Sequence, residues 1–284
     1  MKLIPPAIRI RLTLLVVLLL LCSACSGRTA TPGVTAHVDA AAASPTMPSP
    51  GEDLGGLSSE AVQTLRSLEK VDDYPLYVMH FAGETDIRQT DGLGPQIDRF
   101  SCSLFAALGQ KGDMLYGRNF DWEYSPALLL FTDPPSGYAS VSMVDLAFLG
   151  IDSGAASSLT SLPLSDRSAL LRAPSMPFDG MNEYGLAIGM AAIPDEIMDD
   201  ASYETDRPTI GSIGVIRQIL DHARSVDEAV ALFDRYNLDF AGGPPIHYLV
   251  ADPSGEAALI EFYQGKLVRL PNDGPWHLAT NHLR

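Results

Sequence analysis

Apolar and polar positions along residues 101–121 form two short facing runs. In residues 101–107 the side chains alternate: Leu104 and Ala106 fall on one side, Phe105 and Ala107 on the other, with Cys102 at the head. Gly109-Gln110-Lys111-Gly112 is a turn signal. Met114, Leu115 and Tyr116 open the second run, which continues into Gly117-Arg118-Asn119-Phe120-Asp121-Trp122. Two short runs joined by a glycine-bounded turn predict a β-hairpin. A hairpin brings its outer ends together, so Cys102 is expected beside Arg118 and Asp121.

The pattern continues on both sides of this ribbon. Ser58 or Ser59 caps a predicted helix to about residue 71, with Val62, Leu65 and Leu68 on one face. Residues 74–82 alternate as a strand, and residues 83–99 are charged and glycine-rich, as in an exposed loop. After the ribbon come a strand at 127–131, a turn at 133–137 and an apolar stretch at 138–151. Residues 152–175 show weak periodicity and read as loop or short helix. Asn182-Glu183-Tyr184-Gly185 makes a turn into a strand at 186–191; Asn182 reads as a turn residue bonding its own backbone. Residues 195–206 hold six acids and read as a solvated loop. Helices follow at 212–223 and from Ser225, where Ser225-Val226-Asp227-Glu228 is a capping box. Strands at 244–252, 257–262 and 266–270 form a meander, and 276–282 is a strand ending in Thr280-Asn281. Strands in the outer thirds with helices between them give an α+β class.

Composition divides the chain. Lys2, Arg9 and Arg11 precede the apolar run 12–21, then Ser23, Ala24 and Cys25: residues 1–25 read as a signal peptide with a lipobox-like end at Cys25. Residues 26–57, rich in Ala, Thr, Pro, Ser and Gly, read as a disordered tether. Residues 58–101 are the expected pro-segment and 102–284 the expected catalytic domain. The formal charge of −16 argues against nucleic acid as a partner, because phosphate binding needs a basic surface. Membrane contact is expected only through a lipid anchor at Cys25. Two of the three cysteines lie in the leader, which leaves Cys102 as the one domain thiol. Neither HExxH nor an EF-hand spacing is present, so no metal or other cofactor is expected. Nothing in the sequence sets an oligomeric state.

A cysteine is a nucleophile as its thiolate, and an arginine beside it favours that anion. An aspartate nearby can hold an amine or the arginine by charge-assisted bonds. The base can be the α-amino group of Cys102 itself, whose ordinary pKa is about 7.7–8.0. That amine is free only if the chain is cut before Cys102, which is the logic of an N-terminal nucleophile. A buried hydrophobe is the plain alternative for a lone strand cysteine.

Cys102-Ser103, the glycine turn and Gly117-Arg118-Asn119-Phe120-Asp121 resemble the choloylglycine hydrolase family, which includes bile salt hydrolases, penicillin V acylases and acid ceramidases. Asn182-Glu183-Tyr184-Gly185-Leu186 and Thr280-Asn281 resemble two further blocks of it. The resemblance implies a four-layer αββα sandwich of the N-terminal nucleophile type. It implies an autoprocessed amidase acting on a small-molecule N-acyl amide, with Cys102 as nucleophile, Arg118 and Asp121 poising thiol and amine, and Asn281 in the oxyanion hole. Ala192 stands about where bile salt hydrolases carry an oxyanion asparagine. The family's domain runs some tens of residues further, so truncation at the C-terminus is expected. Two other readings are open: a papain-like thiol protease using Cys102, His247 and Asn281, and a non-catalytic ligand-binding lipoprotein on the same fold.

Overall fold

The computed structural model describes residues 56–284 apart from 73, 86–100, 110–113, 122–124, 195–205, 242, 264–265 and 284. The leader, Cys25, the tether up to residue 55, most of the 83–99 loop, the turn of the ribbon, Trp122 and the acidic stretch 195–205 lie outside the described residues.

Helix α1 (Ser59–Arg66) leads into the two-residue strand β1 (Glu69–Lys70) and β2 (Leu76–Phe81). The ribbon is β3 (Ser101–Ala107) and β4 (Leu115–Asp121). Then come β5 (Ala127–Thr132), β6 (Ser140–Asp145), the one-turn helix α2 (Ser153–Ala156), β7 (Asp179–Asn182), β8 (Ala187–Ala192) and β9 (Thr209–Gly211). Helices α3 (Gly214–His222) and α4 (Val226–Phe233) precede β10 (Asn237–Asp239), β11 (Ile246–Ala251), β12 (Ala257–Tyr263), β13 (Lys266–Pro271) and β14 (Trp276–Ala279).

Nine strands form one sheet in the order β1-β2-β5-β6-β7-β8-β11-β12-β13, while β14-β3-β4 form a second. Pairing in the large sheet is antiparallel except between β2 and β5. One face of the large sheet packs on α3 and α4 through Phe178, Ile188, Tyr248, Ile216, Ile219 and Phe233. The 3₁₀ turns of residues 146–175 and α1 cover the β2–β5–β6 part of that face through Leu65, Leu128, Leu130, Leu146 and Leu170. The opposite face carries the small sheet: Cys102, Leu104 and Ala106 meet Ala191, Leu249, Ala257 and Leu259. Strands β8 and β11 are therefore buried on both faces, which is why they read as unbroken apolar runs rather than alternating ones. These stacked layers are α+β and consistent with the αββα sandwich.

Two local features set the packing. The small sheet approaches β8 at Gly189, where a Cβ would lie 2.6 Å from Leu104 Cδ2 and 2.9 Å from the Tyr116 hydroxyl. Gly185 turns the chain into β8 with φ +78°, a conformation that side chains with a Cβ resist. The Asn182 carbonyl oxygen accepts from the N–H of Tyr184 (3.1 Å) and Leu186 (3.2 Å), and its amide donates to the carbonyls of Leu220 (3.0 Å) and Ala223 (2.7 Å). Asn182 thus ties the turn to the end of α3.

Helix α1 ends earlier than its apolar spacing predicts. The Ser67 hydroxyl donates to Thr64 O at 2.6 Å and accepts from His80 N–H at 2.8 Å. The strand captures the residue that would continue the helix, and Glu69 and Lys70 pair with β2 instead. Residues 146–175 form α2 and three 3₁₀ segments, which takes the short-helix side of the reading for 152–175. The Asp145 and Asp152 carboxylates cap two of these by accepting from Ala147 and Ala155 N–H, both at 2.8 Å. Among the described residues no helix is long and apolar enough to cross a membrane.

Candidate active site

Strand parity decides which ribbon side chains reach the sheet interface. Cys102 pairs with Phe120, Leu104 with Arg118 and Ala106 with Tyr116. Even-numbered residues of both strands face inward, so Cys102 is only 5% exposed and Arg118 lies diagonally across from it. The guanidinium is close enough to the Cys102 side chain for negative charge there to stabilise the cation. Its hydrogen-bond partners are Asp179 Oδ2 at 3.0 Å and the Met190 carbonyl at 2.8 Å, both bonds donated by Arg118. Burial pushes the Arg118 pKa down to about 10, opposed by Asp179 and by Cys102. Arg118 therefore remains a cation at neutral pH, placed where negative charge on sulfur is compensated.

Asp121 is the one predicted ribbon residue that does not join this face. It lies three positions from Arg118, an odd offset, so the two cannot share a side of a strand. Asp121 faces outward and accepts from Asn119 Nδ2 at 2.9 Å. The expectation that both Arg118 and Asp121 flank the sulfur is corrected accordingly. The carboxylate on Arg118 is Asp179 from β7, placed opposite Gly189 by register. Burial pushes the Asp179 carboxyl up, with Arg118 and the Met143 backbone pulling it back. Asp179 lies three residues before the Asn182-Glu183-Tyr184-Gly185 turn, but nothing local marks its partner. Tyr116 was also missed, although it has the same parity as Arg118. Its hydroxyl donates to Leu249 O at 2.9 Å, and burial, with Asp179 adding, raises its pKa well above the usual value.

Asn281 lies just past β14. Its side-chain oxygen accepts the Cys102 backbone N–H at 2.6 Å, and its amide donates to the Ala192 carbonyl at 2.7 Å. Asn281 thus links the Cys102 nitrogen to the end of β8, with one of its two amide N–H groups engaged in that bond.

His247 sits beneath this corner with no exposure. Its Nδ1 lies 3.2 Å from Glu261 Oε1 and its Nε2 2.7 Å from the Thr280 carbonyl. Both ring nitrogens are engaged, and Cys102 begins a strand rather than a helix. The papain-like reading with His247 as base is therefore corrected.

A cavity of about 260 Å³ opens beside the ribbon, walled by Leu129, Val141, Met143 and Met181, with Arg118 and Asp179 at its polar end. Among the described residues no group of three or more side chains could hold a metal ion.

Residues 171–284 match the family of acyl-coenzyme A:6-aminopenicillanic acid acyl-transferase. A comparison with curated proteins finds no match. Among solved structures, penicillin V acylase from Agrobacterium tumefaciens is 18% identical with a TM-score of 0.34, over 63% of this chain and 44% of that one. A mutant conjugated bile acid hydrolase from Clostridium perfringens is 15% identical with a TM-score of 0.35, over 64% and 47%. A second variant of that hydrolase is 16% identical with a TM-score of 0.35, over 65% and 48%. The chain thus spans less than half the length of each of these structures. The matched residues 171–284, which contain Asp179, Ala192 and Asn281, are thus similar to that acyl-transferase family.

Proposed function

We propose that this protein is an exported amidase that hydrolyses a linear N-acyl amide through Cys102 after the chain is cut between Ser101 and Cys102. The observation that carries this reading is the arrangement at one cysteine: the Arg118 guanidinium shares its buried face, diagonally across the ribbon, while its nitrogen bonds Asn281. A structural cysteine needs neither. The matched family's description, an acyl-transferase, supports acyl chemistry at an amine.

In the proposed reaction the new Cys102 amine takes the thiol proton. The thiolate, facing Arg118, attacks the amide carbonyl carbon, and the carbonyl electron pair moves onto oxygen. The free N–H of Asn281 donates to that oxyanion, a contribution of about 3–4 kcal/mol to the barrier for one well-placed donor. The tetrahedral species collapses by breaking the C–N bond. The leaving nitrogen takes the proton from the Cys102 ammonium, and the acyl group remains as a thioester. Water, deprotonated by the same amine, attacks the thioester carbon, releasing the acid and returning the proton to sulfur. Asp121, opposite Ser101 in register, holds the ammonium from the outer face once Ser101 is gone. The apolar wall of Leu129, Val141, Met143 and Met181 takes the acyl side. Residues 1–25 direct export, Cys25 carries the lipid anchor, and residues 26–57 tether the domain to the membrane.

The test is turnover of a fatty-acyl p-nitroanilide by the exported chain. Release of nitroaniline, lost in Cys102→Ala, and an acyl adduct on Cys102 seen by mass spectrometry are expected. Equal turnover by Cys102→Ala contradicts the reading.

A further inference from the structure

Two buried polar side chains, His247 and Glu261, take no part in that chemistry. Both are on the face of the large sheet that meets the ribbon, since they share the parity of Leu249 and Leu259. Exposures of 0% and 3% make them costly to keep without a purpose.

The Thr280 carbonyl can only accept, so His247 Nε2 must carry a proton. Glu261 Oε1 stands at the other ring nitrogen. The proton between them sits either on Nδ1, giving an imidazolium and a carboxylate, or on the carboxyl, giving two neutral groups. Nε2 keeps its hydrogen in both cases. The tautomer with a bare Nε2 would point a lone pair at a carbonyl oxygen. Glu261 engages the other ring nitrogen and so orients the ring with Nε2–H on the Thr280 carbonyl, which belongs to the peptide leading into Asn281.

We propose that Glu261 and His247 are positioning residues: they hold the Thr280 carbonyl so that Asn281 grips the Cys102 nitrogen and the Ala192 carbonyl together. The chain of contacts runs Glu261 Oε1, His247 Nδ1 and Nε2, Thr280 O, then Asn281 to Cys102 N and Ala192 O. It reaches the catalytic nitrogen from β11 and β12, on the side of the ribbon away from Arg118 and Asp179. Cys102 is thus served by two separate buried pairs: its side chain shares a face with Arg118–Asp179, and its nitrogen is held by Glu261–His247 acting through Asn281.

The inference rests on the proposed function only in taking the Cys102 nitrogen as the working base, and its test needs no turnover. In a Cys102→Ala chain, which keeps the backbone amide of residue 102, hydrogen exchange at that amide is followed by NMR. His247→Leu removes the donor and should speed exchange there about tenfold, the worth of one hydrogen bond. His247→Gln, whose amide can still donate to Thr280, should restore protection to within about twofold. On an Asn281→Ala background, His247→Leu should add nothing at residue 102. Exchange of the Ile219 amide in α3 should not move. Should His247→Leu fail to fold, Glu261→Leu, with Glu261→Gln as rescue, carries the same comparison with a rise of about threefold. Unchanged exchange at residue 102 overturns the proposal, as does an equal rise with and without Asn281. In the active chain the same variants should lower kcat and leave KM in place.

Discussion

The two faces of the large sheet are built differently. The face toward α3 and α4 is filled by large apolar side chains, Phe178, Ile188, Ile216, Ile219, Phe233 and Tyr248. The face toward the ribbon uses small ones, Ala191, Ala251, Ala257 and Gly189, and holds charged or titratable groups, Arg118, His247 and Glu261. Small residues let the second sheet come close, which Gly189 makes necessary. Close approach excludes water and strengthens each polar contact there. One face supplies stability, at about 1.5–3 kcal/mol for each large apolar side chain buried. The other keeps charged groups beside Cys102, whereas the ion pair buried on the helix face, Arg217 with Asp221, lies within α3 itself.

Substitutions can break or sharpen that contrast. The largest effect is expected for Asp179→Leu, which leaves Arg118 buried without its counter-ion. A loss of about 3–5 kcal/mol in chemical denaturation is expected, together with loss of turnover. Leu249→Ala and Ile219→Ala should each cost about 2–5 kcal/mol, but they should differ in kinetics. Ile219→Ala should leave kcat of the folded protein unchanged. Leu249→Ala should lower it, because the Leu249 side chain packs in the cluster that holds Cys102 and Leu104. Equal kcat in the two variants would mean that the faces are not functionally distinct. Ser225→Ala removes the N-cap that accepts from Glu228 N–H at 3.2 Å and should cost about 1 kcal/mol, with no kinetic change. Asp121→Asn, on the exposed side of the ribbon, should change stability by less than about 0.5 kcal/mol while slowing turnover, as expected of a group that acts on the amine.

The ribbon was legible because alternation and a glycine turn are local. So was the place of Arg118, since register follows from the hairpin. The outward face of Asp121 could also have been read, from its odd spacing to Arg118. Asp179, Tyr116 and the bonds of Asn281 could not, because they depend on how one sheet docks on another. His247 shows the same limit: the chain order of Cys102, His247 and Asn281 fits a protease, but only the fold shows both ring nitrogens taken. Ser67 ended α1 through a contact with β2 thirteen residues away, which no helical period contains. The capping box at Ser225 was readable, although Glu228 reaches the Arg224 N–H rather than that of Ser225.

The account depends most on a free amine at Cys102, and the mass of the purified full-length protein tests that directly. A large fragment whose N-terminal residue is Cys102, absent from Cys102→Ala, is the predicted result. A single uncut chain that still turns over an acyl amide would contradict it.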